Sequence, residues 1–193
     1  IKGLRGLNIT IPYKEEIIPY LDKLSKTAKK IGAVNCVTIS KKKKLKGYNT
    51  DYHGFKKSIK PLLKDHHKKA LILGTGGASK AIAYALRSLK IEYDFVSRTA
   101  DEFQYKYEEL DASIFEEYTI IINTTPVGTH PNVEDFPNLD YSLFTKKHIA
   151  YDLIYNPEET AFLRKAKAQG AVTKNGYEML VLQAEKAWKM WNE

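Results

Sequence analysis

The chain has 193 residues, 43% of them apolar and 28% charged, with 31 Lys and Arg against 23 Asp and Glu. That length and apolar content can fill a sizeable core, which excludes a disordered chain and leaves one large domain or two small ones. The longest apolar runs, at 120–122 and 179–182, fall far short of the ~18 residues that a membrane-spanning helix needs, so no membrane partner is expected.

The opening "IKGLRG" has neither an initiator Met nor the apolar stretch of a signal peptide, and it reads as a fragment whose true start is missing. "LNITI" then alternates like a strand, with Pro12 ending it and Thr10 and Lys14 placed on either side of the proline, where both can face one pocket. "YKEEIIPYLDKLSKTAKKIG" reads as helix and "AVNCVTIS" as strand. The single cysteine, Cys36, has no partner for an internal disulfide; among Val34, Val37 and Ile39 it reads as a buried thiol in a reducing compartment, the cytoplasm.

The basic excess raises the question of a nucleic-acid partner. It is clustered, however, in "KKKKLKG" at 41–47, between two strand-like runs, and reads as a solvated hairpin turn. No aromatic residues interleave with these lysines and no recognition helix follows, so no nucleic-acid partner is expected. In "GYNTDYHG", Thr50 is placed to cap a helix from Asp51 that carries Phe55, Ile59 and Leu62 or Leu63 on one face. Asn49 and Asp51 flank that cap and, with Thr10 and Lys14, offer the polar groups a proton-transfer site needs. His53 stands near them as a reserve candidate for a base, whereas His66, His67, His130 and His148 share no metal-ligand spacing with one another or with Cys36, so no metal is expected.

"PLLKDHHKK" closes this first part, and from Ala70 the pattern becomes regular: "ALIL", a helix with Ile82, Ala85, Leu86 and Leu89 on one face, "YDFVS", "TIIIN" and "HIAYDLIY". Such strand and helix alternation predicts an α/β fold with a doubly wound parallel sheet. Residues 158–169 follow as a helix ending at Gly170, "GAVTK" as a short strand, and a last helix with Tyr177, Leu180, Val181, Ala184, Trp188 and Trp191 on one face, both tryptophans as packing residues. Three units result: 1–68, 69–174 and a C-terminal helix in 175–193.

The joint "GTGGAS" between "ALIL" and the helix holds Gly74, Gly76 and Gly77. Glycines there permit a tight turn, and free N–H groups at the helix start favour an anion, which is the physics of dinucleotide binding. Ser79 stands where the usual spacing asks for a third glycine, so a purely structural turn remains a reading of this motif. About 20 residues on, an NAD enzyme carries a carboxylate for the ribose hydroxyls. Here "VSRT" offers Ser97, Arg98 and Thr99, a guanidinium and two hydroxyls suited to a 2′-phosphate, with Asp94 three residues earlier as the competing candidate; NADP is favoured over NAD.

Five segments in order, "NITIPYK", "GAVN" at 32–35, "NTDYHG" at 49–54, "GTGGAS" with "SRT", and "GYEMLVLQA" at 176–184, resemble the shikimate dehydrogenase family and its quinate-oxidising relatives over the whole chain. The resemblance implies a substrate domain and a Rossmann-like NADP domain around a cleft, with the C-terminal helix returning to the substrate domain. It implies reversible oxidation of the 3-hydroxyl of shikimate to 3-dehydroshikimate, by a monomer or homodimer. Lys14 resembles the family's acid/base lysine and Asp51 its partner. Thr10, Asn35, Tyr155 and Gln183 resemble the substrate-holding residues. Gly74, Thr75, Gly76, Gly77 and Ala78 resemble the diphosphate loop, Ser97, Arg98 and Thr99 the adenosine-phosphate clamp, and Leu153 and Gly176 the positions beside the nicotinamide.

The departures are equally specific. The family's opening strand and its serine pair would precede Ile1. Ser97 replaces a more usual Asn, Glu102 falls where many members have a second basic residue, and 99–118 is short for the family. The alternatives kept open are an NAD-using quinate/shikimate dehydrogenase and a non-catalytic nucleotide-binding piece, including one part of a fused multienzyme.

Overall fold

The computed structural model describes residues 3–99 and 101–192. Two sheets organise them. The first contains β1 (Gly6–Asn8), β2 (Lys23–Leu24), β3 (Cys36–Ile39) and β4 (Leu45–Tyr48) in the order β1-β3-β4-β2. β1 and β4 run antiparallel to β3, and β2 joins β4 in parallel. The lysine run turns the β3–β4 hairpin at 40–44, on the surface, as its composition predicts. Cys36 is fully buried, and burial pushes its thiol up to about 11.

The second sheet contains β5 (Lys69–Leu73), β6 (Glu92–Val96), β7 (Ile120–Asn123), β8 (Ile149–Asp152) and β9 (Val172–Lys174), all parallel in the order β6-β5-β7-β8-β9. Its central strands are buried from end to end, save Lys69 at the start of β5, which is why they read as continuous apolar runs. Helices α2 (Asp51–Ile59), α3 (Gly77–Ser88) and α6 (Tyr177–Asn192) lie on one side, where Phe55, Ile59, Ile82, Leu86 and Met179 pack onto Ile72, Ile120, Ile122 and Tyr151. Helices α4 (Ala112–Glu117) and α5 (Ala161–Ala168) belong to the other side, where Phe115, Phe162 and Leu163 meet Leu71, Leu73 and Ile121. Three layers result, the doubly wound arrangement expected from the alternation.

Several expectations are corrected. The segment read as one helix over 13–32 is a series of turns, a 3-10 turn at Ile18–Tyr20, the short β2 and only then α1 (Lys26–Ile31). Pro19 lacks the N–H a longer helix would need, and Ser25 accepts from the Ala28 N–H and starts a fresh helix. β1 stops at Asn8, four residues before Pro12. β8 stops at Asp152, so Leu153, Ile154 and Tyr155 leave the sheet instead of extending it. Helix α5 begins at Ala161, three residues later than read, because Thr160 caps it by accepting from the Leu163 N–H. On α6 the buried residues are Met179 and Ala187, while Trp188 is 65% exposed. Trp191 does pack, donating its Nε1–H to the Val37 carbonyl at 3.1 Å.

Candidate functional site

Residues from both sheets meet in a cleft at the C-terminal ends of β5, β7 and β8, the place where open α/β sheets bind ligands. The turn after β1 presents Lys14, whose carbonyl accepts from the Val34 N–H at 2.7 Å and so fixes the turn against the strand leading to β3. Lys14 Nζ donates to Asp51 Oδ2 at 2.7 Å, with side chains only 14% and 8% exposed. Asp51 is the first residue of α2, where the helix dipole favours a carboxylate. Its other oxygen, Oδ1, accepts from Asn35 Nδ2 at 2.8 Å.

Thr50 does not cap α2 with its side chain, contrary to the reading of "NTD". Its hydroxyl donates instead to Gln183 Oε1 at 3.2 Å, and its N–H donates to Asn35 Oδ1 at 2.6 Å. Asn35 Nδ2 also reaches Gln183 Oε1 at 3.2 Å. Four elements, β1's turn, the entry to β3, the start of α2 and the middle of α6, are thereby tied into one hydrogen-bonded set. Gly54 allows it: a Cβ there would stand 2.5 Å from the Met179 carbonyl, so only glycine lets α2 and α6 approach this closely. Asn49 takes no part; its side chain serves the Ala33 carbonyl and the Tyr52 N–H. His53 does not line the cleft, and burial, with the charges of Lys57, Lys186 and Lys189, holds its imidazole below the usual value.

Lys14, Asn35, Asp51 and Gln183 line a cavity of about 560 Å³, together with Thr10, Leu153, Tyr155 and Gly176. Sequence reasoning missed other residues of this wall, including Thr124, Thr125 and His130. The signal for the threonines was present, since "NTTP" follows directly on a buried strand and sits at its C-terminal end.

A second space of about 1050 Å³ shares the Lys14 wall and runs along the glycine turn to the end of β6. Gly74 has φ +98°, a conformation that favours glycine, and Gly76 and Gly77 open α3 with no acidic residue in its first turn. The Ser79 hydroxyl donates to the Gly76 carbonyl at 2.7 Å, so the residue in place of a third glycine braces the turn. Gly74, Thr75, Gly76, Gly77 and Ala78 all line this groove, as do Ser97, Arg98 and Thr99 at its far end. A diphosphate facing the helix start and an adenosine phosphate facing Arg98 fit this donor set. Asp94 is not on the groove; it accepts from the Tyr118 hydroxyl at 2.6 Å. Nor is Glu102; the carboxylates that do line it are Glu15, near the glycine turn, and Glu108, near Arg98, which sequence reasoning passed over. At the mouth, Lys80 of α3 pairs with Glu15 of the Lys14 turn.

Between the two spaces, Leu153 and Gly176 are in direct backbone contact. A Cβ on Gly176 would lie 2.0 Å from the Leu153 carbonyl oxygen, and the Gly176 N–H donates to the Ile154 carbonyl at 2.9 Å. Tyr155, half exposed, forms the outer lip of the cavity. Among the described residues no group of three or more His, Cys, Asp or Glu is placed to hold a metal ion, and no helix is long and apolar enough to cross a membrane.

Comparison with known proteins gives the same outline. The family model described as the shikimate dehydrogenase substrate binding domain matches residues 1–37. A curated relative, the shikimate dehydrogenase (NADP(+)) of Caldanaerobacter subterraneus subsp. tengcongensis, is 42% identical over 98% of this chain and 72% of its own length. The crystal structure of shikimate dehydrogenase from Aquifex aeolicus superposes with a TM-score of 0.87 at 40% identity, covering 98% of this chain and 72% of that one. The enzyme from Thermus thermophilus, solved with NADP(H) and shikimate, gives 0.85 at 36% identity over 98% of this chain and 74% of that one.

Proposed function

The chain belongs to the shikimate dehydrogenase family, and we propose that its cleft carries the family reaction, the reversible NADP-dependent interconversion of shikimate and 3-dehydroshikimate, with Lys14 and Asp51 at the reacting oxygen. The observation that carries this reading is the Lys14–Asp51 pair, 2.7 Å apart on the wall where the two spaces of the cleft adjoin. A pure nucleotide binder has no use for it.

Residues 1–68 form the substrate domain, 69–174 the NADP domain, and 175–193 the helix that returns to the first. When bound, NADP supplies the hydride acceptor, or as NADPH the donor. In the oxidising direction Lys14 works as the free amine: Nζ takes the proton of the 3-hydroxyl and becomes the ammonium as the hydride leaves the same carbon for the cofactor. Asp51 holds Lys14 Nζ in place beside the reacting hydroxyl. Thr10, Asn35, Tyr155 and Gln183 hold the remaining hydroxyls and carboxylate. Residues 74–78 receive the diphosphate, Ser97, Arg98 and Thr99 the adenosine ribose phosphate, and Leu153 and Gly176 lie beside the nicotinamide. The protein works as a monomer or homodimer in the cytoplasm, on small molecules, with no nucleic-acid or membrane partner.

Mixing the protein with shikimate and NADP⁺ and following NADPH absorbance from neutral to alkaline pH is the direct test, and absence of signal throughout overturns the reading. Glu108 on the groove favours one second reading, an NAD-using shikimate or quinate dehydrogenase, because a carboxylate there accepts ribose hydroxyls. Rates with both cofactors and both substrates separate the two.

A further inference from the structure

Beneath the cleft lies a polar cluster that the proposed chemistry does not use. Asp152, the last residue of β8, is fully buried within the apolar layer. Its Oδ1 accepts from Asn123 Nδ2 at 3.1 Å and from the Ile154 N–H at 3.0 Å; its Oδ2 accepts from the Thr160 hydroxyl at 2.7 Å. Asn123, the last residue of β7, uses its own Oδ1 to accept from the Thr125 N–H and hydroxyl at 3.0 and 2.6 Å. Its carbonyl accepts from the Leu153 N–H. One carboxylate thus orders two segments that leave neighbouring strands, 123–125 and 153–154, and fastens both to the cap of α5. Both segments end in the cleft: Thr125 borders both of its spaces, and Leu153 abuts Gly176.

We infer that Asp152 is a positioning residue for the nicotinamide half of the cofactor, acting through the Asn123 loop and the Leu153 turn, an inference that rests on the function proposed above. A buried carboxylate is expensive unless every oxygen is satisfied. Its presence between two apolar strands is explained by the number of backbone and side-chain donors it gathers at one point. The amide of an asparagine could still accept from Asn123 and Ile154, but its NH₂ could reach Thr160 only as donor to a hydroxyl turned the other way, whose oxygen also caps α5 by accepting from the Leu163 N–H. A charge-assisted link to α5 becomes a weaker neutral one while the strand ends stay paired.

The test compares Asp152→Asn, Thr160→Val and Thr160→Ser with the wild type in two measurements: turnover of shikimate, and affinity for NADP⁺ set against affinity for 2′,5′-ADP, which carries only the adenosine half. Displacement of the Leu153 turn by a fraction of an ångström to 1 Å should lower kcat by up to about 10²-fold and weaken NADP⁺, while 2′,5′-ADP binding stays unchanged. Thr160→Ser keeps the donor and should behave as wild type; Thr160→Val should fall in the direction of Asp152→Asn. A parallel loss of 2′,5′-ADP affinity, unchanged kcat in Asp152→Asn, or identical Ser and Val variants would each overturn the inference. If Asp152→Asn does not fold, the Thr160 pair decides. Wild-type protein that fails to reduce NADP⁺ with shikimate removes the underlying reading instead, whereas active wild type with an indifferent Asp152→Asn removes only the positioning role.

Discussion

Lys14 holds its Nζ 2.7 Å from Asp51 in a site that is largely out of water. Replacing Lys14 with Ala should cut kcat by about 10²–10⁴, the usual contribution of a positioned acid or base, while NADP⁺ affinity by fluorescence titration barely moves. Equal losses in both would count against its role. At the other end of the cleft, Arg98 is exposed beside Tyr107 with Glu108 on the same groove. Arg98→Ala should raise KM for NADP⁺ at least several-fold and leave KM for NAD⁺ nearly unchanged, which steady-state kinetics with both cofactors will check; a matching rise for NAD⁺ would remove the 2′-phosphate assignment. Their placement on the cleft was legible because each sits in a short segment with its own local logic: Lys14 in the turn after a strand, Asp51 at a helix start, Arg98 at a strand end. Thr50 was misread for the same reason. Local rules made it a helix cap, whereas its hydroxyl is claimed by Gln183, 133 positions away.

Among the elements, the buried parallel strands were the most readable, since full burial leaves a continuous apolar run in the sequence. The region 13–32 was the least, because its residues pack onto a small sheet through turns that carry no period of their own. Helix α6 was found but rotated: Trp188 satisfies helical spacing with Leu180 and Val181, yet the helix buries Met179 and Ala187. The Gly54–Met179 approach selects the face that packs, and no sequence pattern reports a glycine on a different helix. The Leu153–Gly176 contact makes a prediction at this scale. In Gly176→Ala the new methyl must displace the Leu153 carbonyl from 2.0 Å, so the turn shifts, with a cost of roughly 1–3 kcal/mol. A lowered melting temperature should accompany a loss of kcat larger than any change in 2′,5′-ADP affinity; wild-type activity and stability would refute the tight fit.

For the whole molecule, two kinds of buried titratable group tilt stability in opposite directions. His67 and His148 each accept a backbone N–H at Nδ1, from Lys64 and Thr145, and face a carbonyl with Nε2, of Lys147 and Phe115. That pattern suits the neutral ring, and burial holds both imidazoles below their ordinary value of 6.5. Their contribution is therefore intact above about pH 6.5 and is lost as the pH falls through the lowered folded value. Asp152 behaves in reverse: burial pushes it up to about 7, against the pull of its three donors, so the folded state holds a proton the unfolded chain has released. Its contribution is full below the ordinary 3.8 and is lost as the pH rises toward 7. Relative to wild type, His148→Gln should flatten the fall in melting temperature between pH 7 and 5, and Asp152→Asn should steepen it. Profiles that tilt the same way would show that other groups govern this window.

Glu15 gives the cleft one more property. Its carboxylate lies within 3.6 Å of the position a Cβ on Gly77 would take, beside the turn meant to receive a diphosphate, and Lys80 pairs with it. An incoming dianion would otherwise meet a like charge at the point of closest backbone approach. Lys80 is in effect a built-in counterion: its value lies in the like-charge repulsion it offsets where the diphosphate would come closest to the backbone.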